Sequence, residues 1–218
     1  MSIEEFRINR KRRRIRNLIV FLIIVSSLTI GIVIAVKEAA PSKERLPVSN
    51  IDGIPVVTDL LPKGIEGRPG VTRKIKYIVI HETGNTETNA DAVAHDIYLH
   101  RVAEEKPLAW HYTVDDHEIY QHLPDNEIGY HAGDQLKKDG GNVNGIGIEM
   151  CVNSENDYEQ TLKNTALLVH YLLDVYDLDI SAVKKHQDFS GKICPERLIK
   201  EDRWDEFLEM ISSAEEYN

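Results

Sequence analysis

The sequence predicts an α/β domain in which a mixed central β-sheet is flanked by helices, preceded by a single transmembrane helix. Three observations support this. Strand-like and helix-like segments alternate from residue 74 onward, which is typical of α/β architectures. Two of the strand-like segments are apolar on both faces, as expected of strands buried in a sheet. Finally, residues 18–36 form a run of nineteen residues without a charge.

The first 36 residues predict a membrane anchor. Residues 7–17 contain seven Lys or Arg and no acidic residue, and the uncharged run follows at once. A nineteen-residue helix is about 28 Å long, close to the hydrocarbon thickness of a bilayer. Because basic flanks remain cytoplasmic, we expect a cytoplasmic segment over 1–17, a transmembrane helix over 18–36 and an extracytoplasmic remainder. A cleaved signal peptide is the alternative, although Lys37 does not suit a cleavage site.

The charge distribution separates the N-terminal segment from the rest. The whole chain has a net charge of −10, residues 1–37 carry +6, and residues 38–218 therefore carry −16. An acidic domain of this kind does not bind nucleic acid through its general surface. It is also expected to stay away from anionic lipids and polymers except where a site binds them. The membrane is therefore an expected partner only through the N-terminal helix, and the sequence indicates no oligomeric state.

Residues 37–70 predict a linker, because Pro and Gly recur every few residues. A short packed piece is expected only at "VVTDLL", residues 56–61. The folded domain is then predicted for residues 71–218.

The first half of this domain predicts a strand, a helix and a hairpin. "KIKYIVIHET" (74–83) has the β-branched composition of a buried strand. In the segment 89–103, Asn89 is a plausible N-cap. The apolar residues at helical spacing there are Ala92, Ala94, Ile97, Tyr98 and Val102. Residues 109–124 predict a hairpin that turns around Asp115 and Asp116.

The second half continues the alternation. "GIGIEMCV" (145–152) predicts another buried strand, and residues 181–189 begin as a short strand. Residues 157–178 predict an amphipathic helix, and residues 202–211 a closing helix. The predicted buried face of the long helix comprises Leu162, Ala166, Val169, Leu172, Leu173 and Tyr176.

Four chemically versatile side chains lie within or directly after predicted strands. His81 ends the first strand, Glu149 lies inside the strand 145–152, and His186 and Cys194 follow the strand that begins at residue 181. Two imidazoles and a thiolate form a good zinc-ligand set that leaves a fourth position open, as in catalytic sites. Glu149 is costly within an apolar strand unless it is paired or functional.

The two cysteines leave other interpretations open. An extracytoplasmic domain with Cys151 and Cys194 could form one disulfide, although a buried free thiol at Cys151 is also expected, because Cys151 lies within the predicted strand 145–152. Either thiol could act as a nucleophile with His186. A reactive thiol favours a cationic neighbourhood or a helix N-terminus, whereas Cys151 is predicted within a strand.

Five segments together resemble the type-2 N-acetylmuramoyl-L-alanine amidases, zinc-dependent peptidoglycan hydrolases that are related to peptidoglycan recognition proteins. They are "YIVIHETGN", "AWHYTVDDHEIYQHLP", "GYHAGD", "GIGIEMCVN" and "HQDFSGKICPERL", and the resemblance runs from about residue 67 to residue 199. It implies that His81, His186 and Cys194 bind Zn²⁺, that Glu149 is the catalytic carboxylate, and that Lys192 matches a catalytic lysine.

The resemblance also implies the reaction, namely hydrolysis of the amide bond between N-acetylmuramic acid and L-alanine in peptidoglycan. A non-catalytic peptidoglycan-recognition module is the alternative, but such relatives lose the cysteine ligand. His111, His131 and Asn85 are expected to contact the sugar or the stem peptide. The chain departs from the family at Trp110, near a tyrosine of some phage members, and at Glu196, where glycine is frequent.

Overall fold

The computed structural model describes residues 42, 45 and 47–214, which belong to the unit Pro41–Asn218. The predicted basic segment 1–17 and transmembrane helix 18–36 lie outside these residues. Within the described part of the chain, every helix is too short or too polar to cross a bilayer.

Seven strands and six α-helices follow one another in these residues. The strands are β1 (Asn50–Ile51), β2 (Ile54–Thr58), β3 (Tyr77–Glu82), β4 (Tyr112–Val114), β5 (Ile119–Gln121), β6 (Gly145–Met150) and β7 (Val183–Lys185). The helices are α1 (Ala92–Ala103), α2 (Gly141–Asn144), α3 (Tyr158–Tyr176), α4 (Gln187–Ser190), α5 (Glu196–Lys200) and α6 (Trp204–Ser212). A 3₁₀-turn, Ile180–Ala182, precedes β7.

All seven strands form one sheet in the order β1-β2-β5-β4-β6-β3-β7. The pairs β1–β2 and β4–β5 are antiparallel, and the other four pairs are parallel. This confirms the predicted mixed sheet with flanking helices. The hairpin predicted over 109–124 is the pair β4–β5.

Residues 50–58, assigned to the linker 37–70, form two strands instead. β1 and β2 are joined by Asp52 and Gly53, whose φ angles are 48° and 84°, as a tight two-residue hairpin turn requires. β2 then pairs in parallel with β5, and Ile54 and Val56 are buried. The Gly and Pro residues of this region therefore lie in and between short strands and do not prevent strands from forming.

Helix α1 differs from its prediction in both its cap and its buried face. Asp91, not Asn89, is the N-cap, and its side chain accepts a hydrogen bond from the amide of Ala94. Leu99 is fully buried, whereas Ile97 is 64% exposed. The buried residues of the helix are Ala92, His95, Asp96, Leu99 and Ala103.

Helix α3 agrees with its prediction and covers one face of the sheet. Its side chains Leu162, Ala166, Val169 and Leu172 pack in one core with Ile78, Ile80, Ile146 and Ile148 of β3 and β6. Side chains alternate along a strand. Val79, His81, Gly147 and Glu149 therefore belong to the opposite face, and that face carries the site.

Candidate functional site

The site forms where three parallel strands end side by side. β3 lies between β6 and β7, His81 pairs in register with Glu149, and Ile80 pairs with Lys185, directly before His186. The carboxyl ends of parallel strands meet at one edge of a sheet, where crevices form. Register thus brings together three predicted residues that are far apart in the sequence.

The predicted ligand atoms converge at this edge. Nδ1 of His81 lies 3.0 Å from Nδ1 of His186 and 4.0 Å from Sγ of Cys194. All three ligand atoms lie within 4.8 Å of one another. Tetrahedral zinc bonded at its usual distances separates two nitrogens by about 3.4 Å and a nitrogen from a sulfur by about 3.6 Å. For these two pairs, shifts of less than about half an ångström would therefore reach the zinc-bound separations.

Glu82 fixes the loop that carries Cys194. The amide of Glu82 donates a hydrogen bond to Sγ of Cys194 at 3.4 Å. The buried Glu82 carboxylate accepts one hydrogen bond from the hydroxyl of Tyr158 at 2.5 Å and another from the amide of Arg197 at 2.7 Å. Strand β3, helix α3 and the start of helix α5 are thereby connected around the sulfur.

Burial sets the protonation states of the ligands. Desolvation lowers the pKa of His81 far below its usual value, and the charges of His131, His186 and Lys192 lower it further. Burial likewise lowers the pKa of His186. Both rings are therefore neutral, as metal binding requires. Burial and Glu149 raise the pKa of the Cys194 thiol to about 12, so a thiolate there depends on an added cation.

His131, predicted to contact substrate, supports His81 and also lines the cleft beside it. Its Nδ1 lies 3.0 Å from Nε2 of His81, and its Nε2 lies 3.4 Å from the carbonyl oxygen of Gly145. Burial lowers the pKa of His131 to about 3, so the neutral ring accepts from His81 on one side and faces the carbonyl on the other. This partner fixes the His81 tautomer that leaves Nδ1 free for a metal.

His111, also predicted to contact substrate, is fully buried. Its Nδ1 accepts a hydrogen bond from the amide of Gly147 at 3.0 Å, and its Nε2 lies 2.9 Å from the carbonyl oxygen of Glu127. Both ring nitrogens therefore have protein partners. The structure does not bring His111 to the cleft, because it connects β6 to the segment around Glu127.

Glu149 and Lys192 lie in the wall of an open cleft beside the ligands. Oε1 of Glu149 is 3.9 Å from Nδ1 of His81, and its Oε2 is buried without a hydrogen-bond partner. Burial raises the pKa of Glu149 to about 7, although the nearby Lys192 ammonium lowers it. A carboxyl group poised at this pKa can both accept and release a proton near neutrality.

The cleft consists of two adjoining hollows of about 500 and 610 Å³, and Glu149 and Lys192 line both. Asn85, the third residue predicted to contact substrate, is exposed and lines the first hollow. The sequence did not predict most of the other residues that line the cleft. These include Thr83, His95, Tyr98, Leu108, Trp110, Tyr130 and Leu136. The apolar residues on the exposed face of α1 could have indicated the cleft, because this face of the helix borders it.

Both cysteines are free thiols in the structure, so the disulfide alternative is wrong. Sγ of Cys151 lies 3.9 Å from Nδ1 of His95, and Cys151 is not among the converging ligand atoms. Burial raises the pKa of Cys151 as well, and the carboxylates of Asp115 and Asp91 raise it further. Neither thiol has the lowered pKa that a cysteine nucleophile needs.

Comparison with known proteins gives consistent matches. The family model described as N-acetylmuramoyl-L-alanine amidase matches residues 71–197. The chain is 41% identical over 152 residues to the N-acetylmuramoyl-L-alanine amidase XlyA of Bacillus subtilis (strain 168), covering 70% of this chain and 49% of XlyA. It is 38% identical over 162 residues to CwlH, an amidase of the same strain, covering 74% of this chain and 63% of CwlH.

The fold matches a solved structure equally well. The catalytic domain of XlyA superimposes with a TM-score of 0.68 at 40% identity, covering 72% of this chain and 99% of that domain. The chain therefore spans about half of XlyA and nearly the whole of its catalytic domain.

Proposed function

The chain belongs to the N-acetylmuramoyl-L-alanine amidase family, and we propose that it hydrolyses the amide bond between N-acetylmuramic acid and L-alanine in peptidoglycan. The convergence of His81, His186 and Cys194 beside Glu149 carries this proposal. Two of its B. subtilis relatives bear the name of this activity. The solved relative that this chain matches over almost its full length is a catalytic domain.

His81, His186 and Cys194 would hold a zinc ion. Three protein ligands would leave a fourth position for water or substrate, as in other catalytic zinc sites. A zinc ion held by these residues would supply a lowered pKa for a water molecule and polarisation of the substrate carbonyl group.

Glu149 is the proposed proton carrier. Its carboxylate accepts a proton from the water that attacks the carbonyl carbon, and then delivers a proton to the leaving nitrogen of L-alanine. The new C–O bond forms first, and the C–N bond breaks once its nitrogen has been protonated, so the products are a lactyl carboxylic acid and a free amine. The burial that raises the pKa of Glu149 to about 7 suits both transfers.

Lys192 is the proposed electrostatic partner. Its side chain borders both hollows together with Glu149. An ammonium group there stabilises negative charge that develops on the carbonyl oxygen in the transition state. Asn85 also lines the first hollow, where its amide can hydrogen-bond sugar or peptide groups of the substrate.

Mass analysis of digested cell wall tests the activity. Incubation of purified peptidoglycan with the full-length chain should release stem peptides with a free amino group on L-alanine and leave intact glycan strands. The recognition-module alternative predicts binding to the same wall material without release. New glycan reducing ends, or cleavage inside the stem peptide, would contradict the proposed bond specificity.

We also propose that residues 18–36 anchor the enzyme in the cytoplasmic membrane as a single span, with residues 1–17 in the cytoplasm. The uncharged run and its basic flank support this. Membrane fractions of cells that express the full-length chain should retain it after a high-salt wash, and protease added outside the cells should digest the catalytic domain. Recovery of a shortened chain in the medium would support the cleaved-signal alternative instead.

A further inference from the structure

Trp110 is a largely buried aromatic residue that also reaches the wall of the cleft. The described residues that line both hollows are Leu108, Trp110, Glu149 and Lys192. We propose that the indole of Trp110 selects a methyl side chain on the amino acid joined to N-acetylmuramic acid. Thr113, His122 and Asp96 are positioning residues that fix this indole. The inference rests on the proposed amidase function and assigns a specificity-determining residue to it.

The residues shared by the two hollows mark the place where the scissile bond has to lie. Glu149 and Lys192, which carry the proposed chemistry, are at this place, and Leu108 and Trp110 supply apolar surface beside them. In the substrate, the methyl group of the lactyl unit and the methyl side chain of L-alanine are each two bonds away from an atom of the scissile amide. An amide placed against Glu149 and Lys192 therefore brings these methyl groups toward the apolar pair.

A chain of polar contacts inside the domain fixes the orientation of the indole. Nε1 of Trp110 donates a hydrogen bond to Oγ1 of Thr113 at 2.7 Å, and this oxygen lies 2.8 Å from Nε2 of His122. Nδ1 of His122 faces Oδ1 of Asp96 across 3.2 Å. Thr113 and His122 are fully buried, and Asp96 is nearly so. The chain thus connects the cleft wall to helix α1 through the interior.

The last member of this chain determines its direction. A carboxylate only accepts, so Nδ1 of His122 carries the proton that faces Asp96. Burial lowers the pKa of His122, although Asp96 raises it, so the ring is neutral and its Nε2 accepts from the hydroxyl of Thr113. That hydroxyl accepts in turn from the indole. Rotation of the indole would leave a buried N–H group unpaired, which is costly.

The cleft therefore meets carbon atoms of Trp110 and not its N–H group. Trp110 is 5% exposed, so one edge of the ring reaches the hollows. The rest packs edge to face with His122, with ring centroids 6.1 Å apart, and in a cluster with Leu99 of α1. Such an edge stabilises a methyl group by burying it and offers no hydrogen bond to a hydroxyl group. One methyl group in an apolar pocket favours alanine over glycine by about 10–200-fold.

A pair of soluble substrates tests the proposal with the full-length, zinc-loaded chain. One is an N-acetylmuramoyl-L-alanyl peptide, the other carries glycine in place of alanine, and the released amines give the ratio of the two kcat/KM values. The wild type should favour alanine by about 10–200-fold, and Trp110→Phe, with its smaller ring, should lower this ratio about tenfold at unchanged zinc content.

Trp204→Phe is the matched control, because Trp204 lies on helix α6 and is not among the described residues that line the hollows. It should keep the ratio of the wild type. An equal loss of both rates in Trp110→Phe, which leaves the ratio unchanged, would overturn the proposal, because Trp110 would then only fill the core. A wild type without preference for alanine would overturn it as well.

Thr113→Val tests the positioning chain separately and decides the proposal if Trp110→Phe fails to fold. It keeps the shape of the side chain but removes the acceptor of the indole N–H group. Exchange of this N–H proton, followed by NMR, should become at least about tenfold faster, and the substrate ratio should fall toward that of Trp110→Phe. Faster exchange with an unchanged ratio would overturn the positioning role.

A binding measurement separates this inference from the proposed function. If the wild type hydrolyses neither compound, the proposed function fails, and titration calorimetry with the same two compounds then decides the inference. Tighter binding of the alanine compound, lost in Trp110→Phe, would support the role of Trp110. Equal affinities of the wild type for both compounds would overturn it.

Discussion

Glu149 is the residue on which the proposed chemistry depends most directly. Its Oε2 is buried without a hydrogen-bond partner, and its Oε1 faces His81 across 3.9 Å. No structural contact in the described residues requires this carboxylate, whereas the reaction does. The stability of the fold and the activity should therefore respond differently when the carboxylate is replaced.

Replacement of Glu149 by glutamine keeps the size of the side chain and removes its ability to accept a proton. Release of stem peptides should fall about 10²–10⁴-fold, the usual contribution of a general base, while zinc content stays unchanged. Glu159→Gln on helix α3, an exposed glutamate, is the control and should keep full activity. Undiminished release by Glu149→Gln would remove this residue from the mechanism.

His131 provides a second test at the residue scale. His131→Phe keeps an aromatic ring but loses the 3.0 Å contact with Nε2 of His81. Zinc affinity of the His81, His186 and Cys194 set should fall about 10–100-fold, as for other partners of metal-bound histidines, and a chelating dye can measure it by competition. The KM at saturating zinc should stay nearly constant. A raised KM with unchanged zinc affinity would instead support the substrate contact that the sequence predicted.

The sequence predicts the ligand set but not its supporting partners, for a physical reason. His81, Glu149 and His186 could be chosen because each lies in or at the end of a recognisable strand. His111 and His131 lie in segments whose path depends on distant contacts, such as the bonds of Asn142 to the amides of His131 and Ala132. A single sequence does not reveal which ring nitrogen meets which partner.

At the scale of elements, helix α1 shows why a periodic pattern can predict the wrong face. Apolar residues recur on two sides of this helix, and the side with Ile97 and Tyr98 faces solvent and the cleft. The buried side instead combines Leu99 and Ala103 with the polar residues His95 and Asp96. A helix that borders a binding cleft exposes apolar surface that hydropathy alone assigns to the core.

Paired substitutions test this assignment. Leu99→Ala should lower the free energy of unfolding by about 2–5 kcal/mol, because it removes a fully buried side chain from a packed cluster. Ile97→Ala should change it by less than about 0.5 kcal/mol, as usual for surface positions. Urea denaturation followed by circular dichroism measures both. A larger loss for Ile97→Ala than for Leu99→Ala would favour the face predicted from the sequence.

The hairpin β1–β2 was the largest element missed, although its signal was present. Asp52-Gly53 is a strong two-residue turn pair, and Ile51 and Ile54 flank it. Strands of two and five residues are too short to stand out among Pro and Gly. Their stability comes from pairing with β5 and packing against the core, which local composition does not show.

On the scale of the whole molecule, a single sheet separates the apolar core from the candidate site. The face covered by α3 and α6 is an apolar core. The opposite face carries buried histidines and the cleft. Parallel pairing of β6, β3 and β7 aligns three strand ends, so a catalytic set can be assembled from residues more than 100 positions apart. The alternation of strand-like and helix-like segments predicted this sheet. The pairing register of its strands could be learned only from the structure.

The most direct test of the central claim is release of stem peptides from purified peptidoglycan by the full-length chain before and after metal removal. A chelator should abolish release and added Zn²⁺ should restore it. Cys194→Ser should stay inactive under both conditions, because the proposed zinc site then lacks its sulfur ligand. Full activity from a chain shown to contain no metal would contradict the account.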